Sequence, residues 1–217
     1  MDNNLTKLVF ILDCSGSMHS LANDTIGGFN SLIDEQRGKE GECEVTTILF
    51  ESTIHKLYEN VPIKEVPEMT TENYRTGGCT ALLDAVGQTI DEVGQALAAR
   101  SEEDRPSKVI FVITTDGYEN ASLEYTQSMV KERIEHQQSK YNWVFMFLGA
   151  NIDAKQVGAS YGIKSGYSKT YTASKIGAQS VYLGLSKGVS SLRSSDVCFM
   201  DDTSVTAAVT DALKDVK

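Results

Sequence analysis

The sequence has little of what marks secreted or membrane-bound proteins. Its four cysteines include no C-x-x-C pair and no spacing typical of a disulfide framework, which favours reduced thiols inside a cell. No apolar run approaches the roughly 20 residues that a helix needs to cross a bilayer. The first residues, Met1 to Asn4, are acidic and polar, unlike a signal peptide. We therefore expect a cytoplasmic protein without a membrane partner.

Positive charge is scarce as well. Asp and Glu number 30 against 20 Lys and Arg, so the formal net charge is −10. This balance argues against a nucleic acid or an anionic membrane as the partner, and it fits a cation or a basic protein. Internal repeats and low-complexity tracts are also absent. The 217 residues predict a single domain over 1–217, with a core at about 5–160 and a helical C-terminal elaboration at about 161–217.

Continuous apolar runs predict buried strands of a parallel sheet. These strands are expected at residues 6–13, 109–113 and 143–148, the last broken by Gly149. Two β-prone segments, 45–50 and 53–58, are separated only by Glu51-Ser52. They predict an antiparallel hairpin whose second member lies at the sheet edge. A short last strand is expected at about 168–172.

Apolar residues at helical spacing predict helices between these strands. The larger helices are expected at 20–37, 81–98 and 122–140, and in the last one Leu123, Val130 and Ile134 are expected to face inward. A short helix capped by Asp153 is expected to end at Gly162, and later helices begin at Ser174 and Ser204. The predicted fold is therefore α/β and doubly wound. Its mostly parallel six-stranded sheet has one antiparallel edge strand and helices on both faces.

Polar residues follow the predicted strands at one edge of this sheet, where α/β proteins place their chemistry. The first strand ends in Asp13-Cys14-Ser15-Gly16-Ser17, with a carboxylate and two hydroxyls on alternating residues. These groups can hold a hard cation, but they cannot complete its shell of oxygens. Thr80 follows two glycines before the helix at 81–98, and Asp116 follows the strand at 109–113. Both are expected at the same edge.

The ordered set D-x-S-x-S, then a threonine after glycines, then T-D-G, resembles the von Willebrand factor A-type (VWA) domain. The resemblance covers about residues 5–160. It implies a metal-ion-dependent adhesion site that usually holds Mg²⁺, with Mn²⁺ or Ca²⁺ as alternatives, and that binds a carboxylate of a protein partner through the metal. It also implies a stand-alone intracellular protein of bacterial or phage type, without catalytic residues. The metal ligands that it implies are Asp13, Ser15, Ser17, Thr80 and Asp116.

Five neighbours of these residues have both a functional and a structural interpretation. Asp84, one turn after Thr80, could orient a metal-bound water or a hydroxyl, or it could be a cap. Glu119 could add charge near the metal or contact one of its ligands, although a solvated or cap-forming residue is the favoured interpretation. Cys14 and Cys79 could make the site sensitive to oxidation, although small buried thiols are the favoured interpretation. For His19 a surface position is favoured.

Two other functions stay open. A magnesium-dependent phosphohydrolase would use the same strand ends, but it needs a nucleophile or base beside the metal. Ser15 stands where the haloacid-dehalogenase-like pattern has a second acid, and Ser20 stands where a cysteine phosphatase would have arginine. No G-x-x-x-x-G-K phosphate loop is present. The other function is a structural scaffold with an empty metal site. The sequence does not choose the partner or the oligomeric state.

Overall fold

The computed structural model describes residues 2–164, 166–194 and 202–217. The strands are β1 (Asp2–Asp13), β2 (Glu42–Phe50), β3 (Ile54–Pro62), β4 (Pro106–Thr115), β5 (Val144–Ala150) and β6 (Ser168–Tyr171). The helices are α1 (Ala22–Arg37), α2 (Leu82–Ala98), α3 (Gln127–Tyr141), α4 (Ala154–Ser160), α5 (Lys175–Ser194) and α6 (Asp202–Leu213). Short 3-10 helices occupy Gly16–Leu21 and Ile63–Glu65. No helix in the described ranges is long and apolar enough to cross a membrane.

Within the described residues, six strands form one sheet in the order β3-β2-β1-β4-β5-β6. The central strand β1 pairs in parallel with β2 and β4, whereas β3 runs antiparallel to β2 at the edge. This confirms the predicted sheet, including its antiparallel edge strand. Leu12 pairs with both Leu49 and Thr114, so β1, β2 and β4 end at the same level. The polar residues that follow β1 and β4 therefore meet.

Aromatic side chains join the helices and strands of the core. Phe10 on β1 meets Phe29 on α1 edge-on, with ring centroids 5.1 Å apart. Phe111 on β4 stacks on Phe145 of β5 at 4.8 Å and on Trp143 at 5.4 Å. Beyond the sheet, α1 packs on α5 and α2 packs on α3. Complete burial of the central strands explains why their sequences are continuously apolar.

One charged side chain lies inside this apolar sheet. Lys7 on β1 is only 1% exposed. Its Nζ donates hydrogen bonds to Thr46 Oγ1 at 2.7 Å and to Asn60 Oδ1. Thr46 lies where the register between β2 and β3 shifts, and its hydroxyl oxygen also accepts the N–H of Asn60 at 3.1 Å. Burial lowers the pKa of Lys7 to about 8.

Two predictions about local structure were wrong. Helix α3 begins at Gln127 rather than Ser122, and Leu123 is 94% exposed rather than facing inward. The reason is that side-chain carboxylates bind the backbone N–H groups just before this helix. Gly149 does not break its strand, because β5 pairs with β4 and β6 through this residue.

The secondary structure after β5 agrees closely with the predictions from the sequence. Asp153 Oδ1 accepts the N–H of Gln156 at 3.0 Å, which confirms it as the cap of α4. Gly162 follows that helix with a φ of +79°, and the expected last strand is β6. The helices expected from Ser174 and Ser204 are α5 and α6. The free thiols in the described residues are Cys14, Cys43 and Cys79, whereas Cys198 lies outside them.

Candidate metal site

Three loops meet at the carboxyl end of the sheet. Asp13 ends β1, and Asp116 directly follows β4. Because β1 and β4 are neighbours with level ends, these two carboxylates come from adjacent strands. Thr80 lies in the loop that leads into α2. The sheet topology therefore assembles residues that are far apart in the sequence.

Three of the predicted ligands, Ser15, Ser17 and Asp116, are joined by contacts between their side-chain oxygens. Ser15 Oγ is 3.1 Å from Ser17 Oγ, and Ser17 Oγ donates to Asp116 Oδ1 at 2.5 Å. A methyl group in place of a Gly117 hydrogen would lie 3.5 Å from Thr80 Oγ1 and 3.9 Å from Ser17 Oγ. Hydroxyls from two loops and a carboxylate from a third therefore surround one small volume.

Asp13 forms the buried side of this group. Its carboxylate is fixed at both oxygens, since Oδ1 accepts the N–H of Ser15 at 2.7 Å and Oδ2 accepts the hydroxyl of Thr115 at 2.6 Å. Burial raises the pKa of Asp13, and nearby Asp116 adds to this effect, whereas the bonds from Thr115 and Ser15 oppose it. The arrangement concentrates negative charge where water is excluded, which favours a nearby cation.

Backbone contacts hold the Thr80 loop beside the loop that follows β1. Gly77 N donates to Cys14 O at 2.9 Å. Gly78 has a φ of +67°, and a Cβ at this position would lie 1.8 Å from a carboxylate oxygen of Glu51. The positive φ favours glycine, and any larger residue would also have to displace the Glu51 side chain. The glycines before Thr80 thus set its position next to the serines.

Three residues that position the site were not predicted. Thr115 donates to Asp13, Tyr74 donates its hydroxyl to the backbone carbonyl of Asp13, and Asn120 Oδ1 accepts the N–H of Thr80 at 2.9 Å. Thr115 could have been inferred, since it is a hydroxyl residue at the end of a buried strand. Asn120 and Tyr74 lie in irregular loops, where no local pattern indicates a role.

Buried tyrosines lie near the carboxylates. Burial raises the pKa of Tyr74, Tyr171 and Tyr182, so all three stay neutral at physiological pH. The charge of Asp13 adds to the shift for Tyr74 and for Tyr171 of β6, so these two lie near the site, whereas Tyr182 belongs to α5. The described chain after β5 therefore contributes the uncharged side chain of Tyr171 close to the site.

Asp84 and Glu119 have structural roles. The two oxygens of Asp84 accept the backbone N–H groups of residues 123, 124 and 125. Those of Glu119 accept the N–H groups of residues 83, 121 and 122, with O···N distances of 2.7 to 2.9 Å. Each carboxylate is thus engaged in holding the loop after Asp116 against the start of α2, which favours the capping interpretation.

The two cysteines beside the predicted ligands differ. Cys14 is buried, as expected, and its Sγ donates to Phe50 O at 3.3 Å, while burial raises the pKa of the thiol to about 12. Cys79 is exposed, so the expectation of a buried thiol was wrong there. His19 is on the surface, with Nδ1 3.2 Å from Thr76 Oγ1.

The donor set fits a hard divalent cation. Across the described ranges, no three or more His, Cys, Asp or Glu side chains form a group that could hold a metal. A metal at this position would therefore depend on hydroxyls as well as on the two carboxylates. Carboxylate and hydroxyl oxygens suit Mg²⁺, Mn²⁺ and Ca²⁺ rather than metals that prefer sulfur.

Comparison with solved structures shows which known proteins share this fold. No protein-family model matches the sequence, and no curated protein is detectably similar to it. Proximal thread matrix protein 1 from the mussel byssus is similar in structure, with a TM-score of 0.58 and 14% identity over 87% of this chain and 47% of its own. The ArnB paralog VWA2 from Sulfolobus acidocaldarius has a TM-score of 0.54 and 14% identity over 87% of this chain and 45% of its own. The chain thus spans about half of the length of either protein.

A third similar structure is manganese-loaded TRAP protein from Plasmodium vivax, with a TM-score of 0.58 and 18% identity over 79% of this chain and 70% of its own. Another structure of the mussel protein has zinc in its MIDAS motif, the metal-ion-dependent adhesion site. At these identities the likeness shows the fold, which is that of VWA domains.

Proposed function

We propose that this chain is a metal-dependent protein-interaction module. Asp13, Ser15, Ser17, Thr80 and Asp116 would hold a divalent cation, with Mg²⁺ as the expected ion. The bound cation would supply an electrophilic centre for a carboxylate oxygen of a protein partner. A cytoplasmic location and a stand-alone bacterial or phage origin belong to the same proposal, as does a single domain over 1–217.

The observation that carries the proposal is the meeting of Ser17 with Asp116. Their oxygens are 2.5 Å apart although 99 positions separate them in the sequence, and Ser15 Oγ lies within 3.1 Å of the same serine. Buried Asp13 lies below them. Ser17 is exposed, so it contributes little to the core. A bound cation would explain why these polar groups lie together.

Nucleophilic catalysis lacks comparable support. The thiol of Cys14 is buried, and its raised pKa of about 12 keeps it protonated at neutral pH. Both carboxylate oxygens of Asp13 accept hydrogen bonds, from Ser15 and Thr115. The neighbouring acids Glu119 and Asp84 are engaged by backbone N–H groups. No free base or nucleophile stands out beside these oxygens within the described residues.

Calorimetric titration with Mg²⁺ and Mn²⁺ tests the metal site. We expect Ser17→Ala to weaken binding at least about tenfold, because it removes one ligand oxygen. Exposed Ser20 offers a matched control, since Ser20→Ala removes a hydroxyl from the same 3-10 helix outside the site. Absence of heat at millimolar metal, or equal affinity in the two variants, would contradict the proposal.

Affinity capture tests the partner. Wild-type protein and Ser17→Ala would be compared as baits in Mg²⁺ and in EDTA. We expect a partner that is retained by the wild type in Mg²⁺ and released in EDTA or by the variant. A partner that binds equally under all four conditions would show that the metal is not the contact.

A further inference from the structure

Two strongly exposed hydrophobic side chains lie in one loop beside the candidate metal site. Among the described residues, large apolar side chains that are strongly exposed include Tyr118 at 61% and Leu123 at 94%. Both lie in the loop that follows Asp116. A single exposed apolar residue needs no explanation, but two in one short loop next to a binding site form a surface of interest.

This loop runs from the site along the start of α2. A Cβ added at Gly117, directly before Tyr118, would lie 3.5 Å from Thr80 Oγ1. Asn120, two residues later, exchanges hydrogen bonds with Thr80. The N–H of Leu123 donates to Asp84, which lies in the first turn of α2, four residues after Thr80. Tyr118 thus borders the site, and Leu123 lies farther along the loop, beside the start of α2.

The loop is held rigidly although its apolar side chains face solvent. Glu119 Oε1 accepts the N–H groups of residues 121 and 122, and Asp84 accepts those of residues 123 to 125. At the far end, the hydroxyl of Tyr125 donates to Asp91 at 2.9 Å. These bonds hold the backbone in the conformation that leaves Leu123 exposed.

A rigid apolar surface of this kind suits the binding of a partner. A partner that covers Leu123 and Tyr118 would remove apolar surface from water, which favours binding. Because the loop is already fixed, binding would cost little conformational entropy for ordering it. Aromatic anchors such as Tyr118 are enriched among residues that dominate binding energy. Continuity with the metal site indicates that one partner would meet both features.

We propose that Tyr118 and Leu123 form an apolar docking surface for the protein partner of the metal site. The partner segment then carries an acidic residue, which binds at the metal, and a large apolar residue close to it in space, which packs on Tyr118 and Leu123. This inference rests on the proposed function, because the metal site fixes the position of the acidic residue.

Selection from a phage-displayed library of random peptides with one fixed glutamate tests this proposal. Peptides bound to the wild type in Mg²⁺ would be eluted with EDTA and sequenced. We expect leucine, methionine or aromatic residues at a preferred spacing from the glutamate. Each selected peptide should bind at least about tenfold more weakly to Leu123→Ser and to Tyr118→Ser. Thermal unfolding of both variants would verify that they are folded.

Matched controls come from α5, where Ile176 and Leu183 are also strongly exposed. Ile176→Ser and Leu183→Ser remove apolar surface of a similar kind away from the site, and they should leave peptide binding unchanged. Equal weakening by the α5 variants and by Leu123→Ser would overturn the proposal, because the effect would then be general surface stickiness.

The outcomes separate this inference from the proposed function. Peptides that need Mg²⁺ but bind Leu123→Ser and Tyr118→Ser normally would overturn the docking surface and leave the metal-dependent function standing. Peptides that stay bound in EDTA would be recovered by a second elution with acid; if they lose affinity for these variants, they would support the surface and contradict the metal-dependent function. Recovery of no peptide in either eluate would contradict both. Mg²⁺-dependent dimerisation in sedimentation, abolished by Leu123→Ser, would overturn the proposal, since a second copy would then occupy the surface.

Discussion

Lys7 gives a prediction about stability and pH that follows from its surroundings. Burial lowers the pKa of its amine from 10.5 to about 8 in the folded protein, although Glu44, Glu59 and Cys43 partly oppose this effect. The unfolded chain therefore holds a proton on Lys7 between these two values, where the folded protein has released it. Stability then rises with pH across this window, because the unfolded state binds more protons.

The size of this pH-dependent change in stability follows from the shift in the pKa of Lys7. A lowering of about 2.5 pKa units makes the charged amine about 3 kcal/mol less favourable in the folded state at neutral pH. Between about pH 7 and about pH 9.5, roughly 2 kcal/mol of this penalty is relieved. Both amine contacts, to Thr46 and Asn60, persist when the amine is neutral, because a neutral amine still carries two protons.

Lys7→Met isolates this contribution, since methionine is unbranched and apolar and fits the buried path. Thiols and tyrosines also titrate at high pH, but they are present in both proteins and largely cancel in the difference. We expect the wild type to gain about 2 kcal/mol of unfolding free energy relative to Lys7→Met between about pH 7 and about pH 9.5. Urea unfolding with a reductant, followed by the fluorescence of the buried Trp143, measures it. Exposed Lys155→Met serves as the control.

A constant difference between wild type and Lys7→Met over this pH range would refute the reasoning. So would a wild type that loses stability relative to the variant. A constant difference would mean that the amine keeps its ordinary pKa in the folded protein, for instance through water that reaches it, whereas a relative loss would mean that its pKa is raised there. The change in unfolding free energy that Lys7→Met causes at neutral pH does not test the reasoning. Loss of the two hydrogen bonds destabilises the folded protein, whereas removal of the buried charge stabilises it.

Two more predictions concern packing and thiol chemistry. Gly28→Ala places a Cβ 2.1 Å from the ring of Tyr182 and should destabilise the protein by about 2 kcal/mol or more in urea unfolding. At Gly27 an added Cβ has no atom within 4 Å, so Gly27→Ala should be neutral or should stabilise α1 by up to about 1 kcal/mol. Similar losses in both variants would contradict the packing of α1 on α5. In the native protein at mildly alkaline pH, iodoacetamide should alkylate Cys79 more than about 100-fold faster than Cys14, as measured by peptide mass spectrometry, because Cys14 is buried with a raised pKa of about 12. Equal rates would mean that the loop after β1 opens freely.

The sheet could be predicted because its signals are local. Continuous apolar runs and a two-residue hairpin gap determine strand type and pairing without reference to distant residues. The convergence of Asp13 and Asp116 followed from a topological rule, since residues after adjacent parallel strands meet at one edge. These expectations needed only the order of elements along the chain.

The start of α3 could not be predicted, because it depends on contacts between distant residues. The spacing of Leu123, Val130 and Ile134 is helical, yet Asp84 binds the N–H of Leu123 from a position 39 residues away. The burial of Lys7 is similar, since its partner Asn60 lies 53 residues away at a bulged edge of the sheet. No local sequence pattern predicts either contact.

The way in which the site is supported has an evolutionary consequence. Backbone bonds, Thr115 and Tyr74 hold the loops together, whereas exposed Ser17 supports little of the fold. Substitution of this serine by alanine would leave the protein folded while removing one oxygen of the proposed metal site. Folding alone would therefore exert little purifying selection on Ser17. Among descendants of this chain, loss of that hydroxyl would be an early and visible record of a changed function.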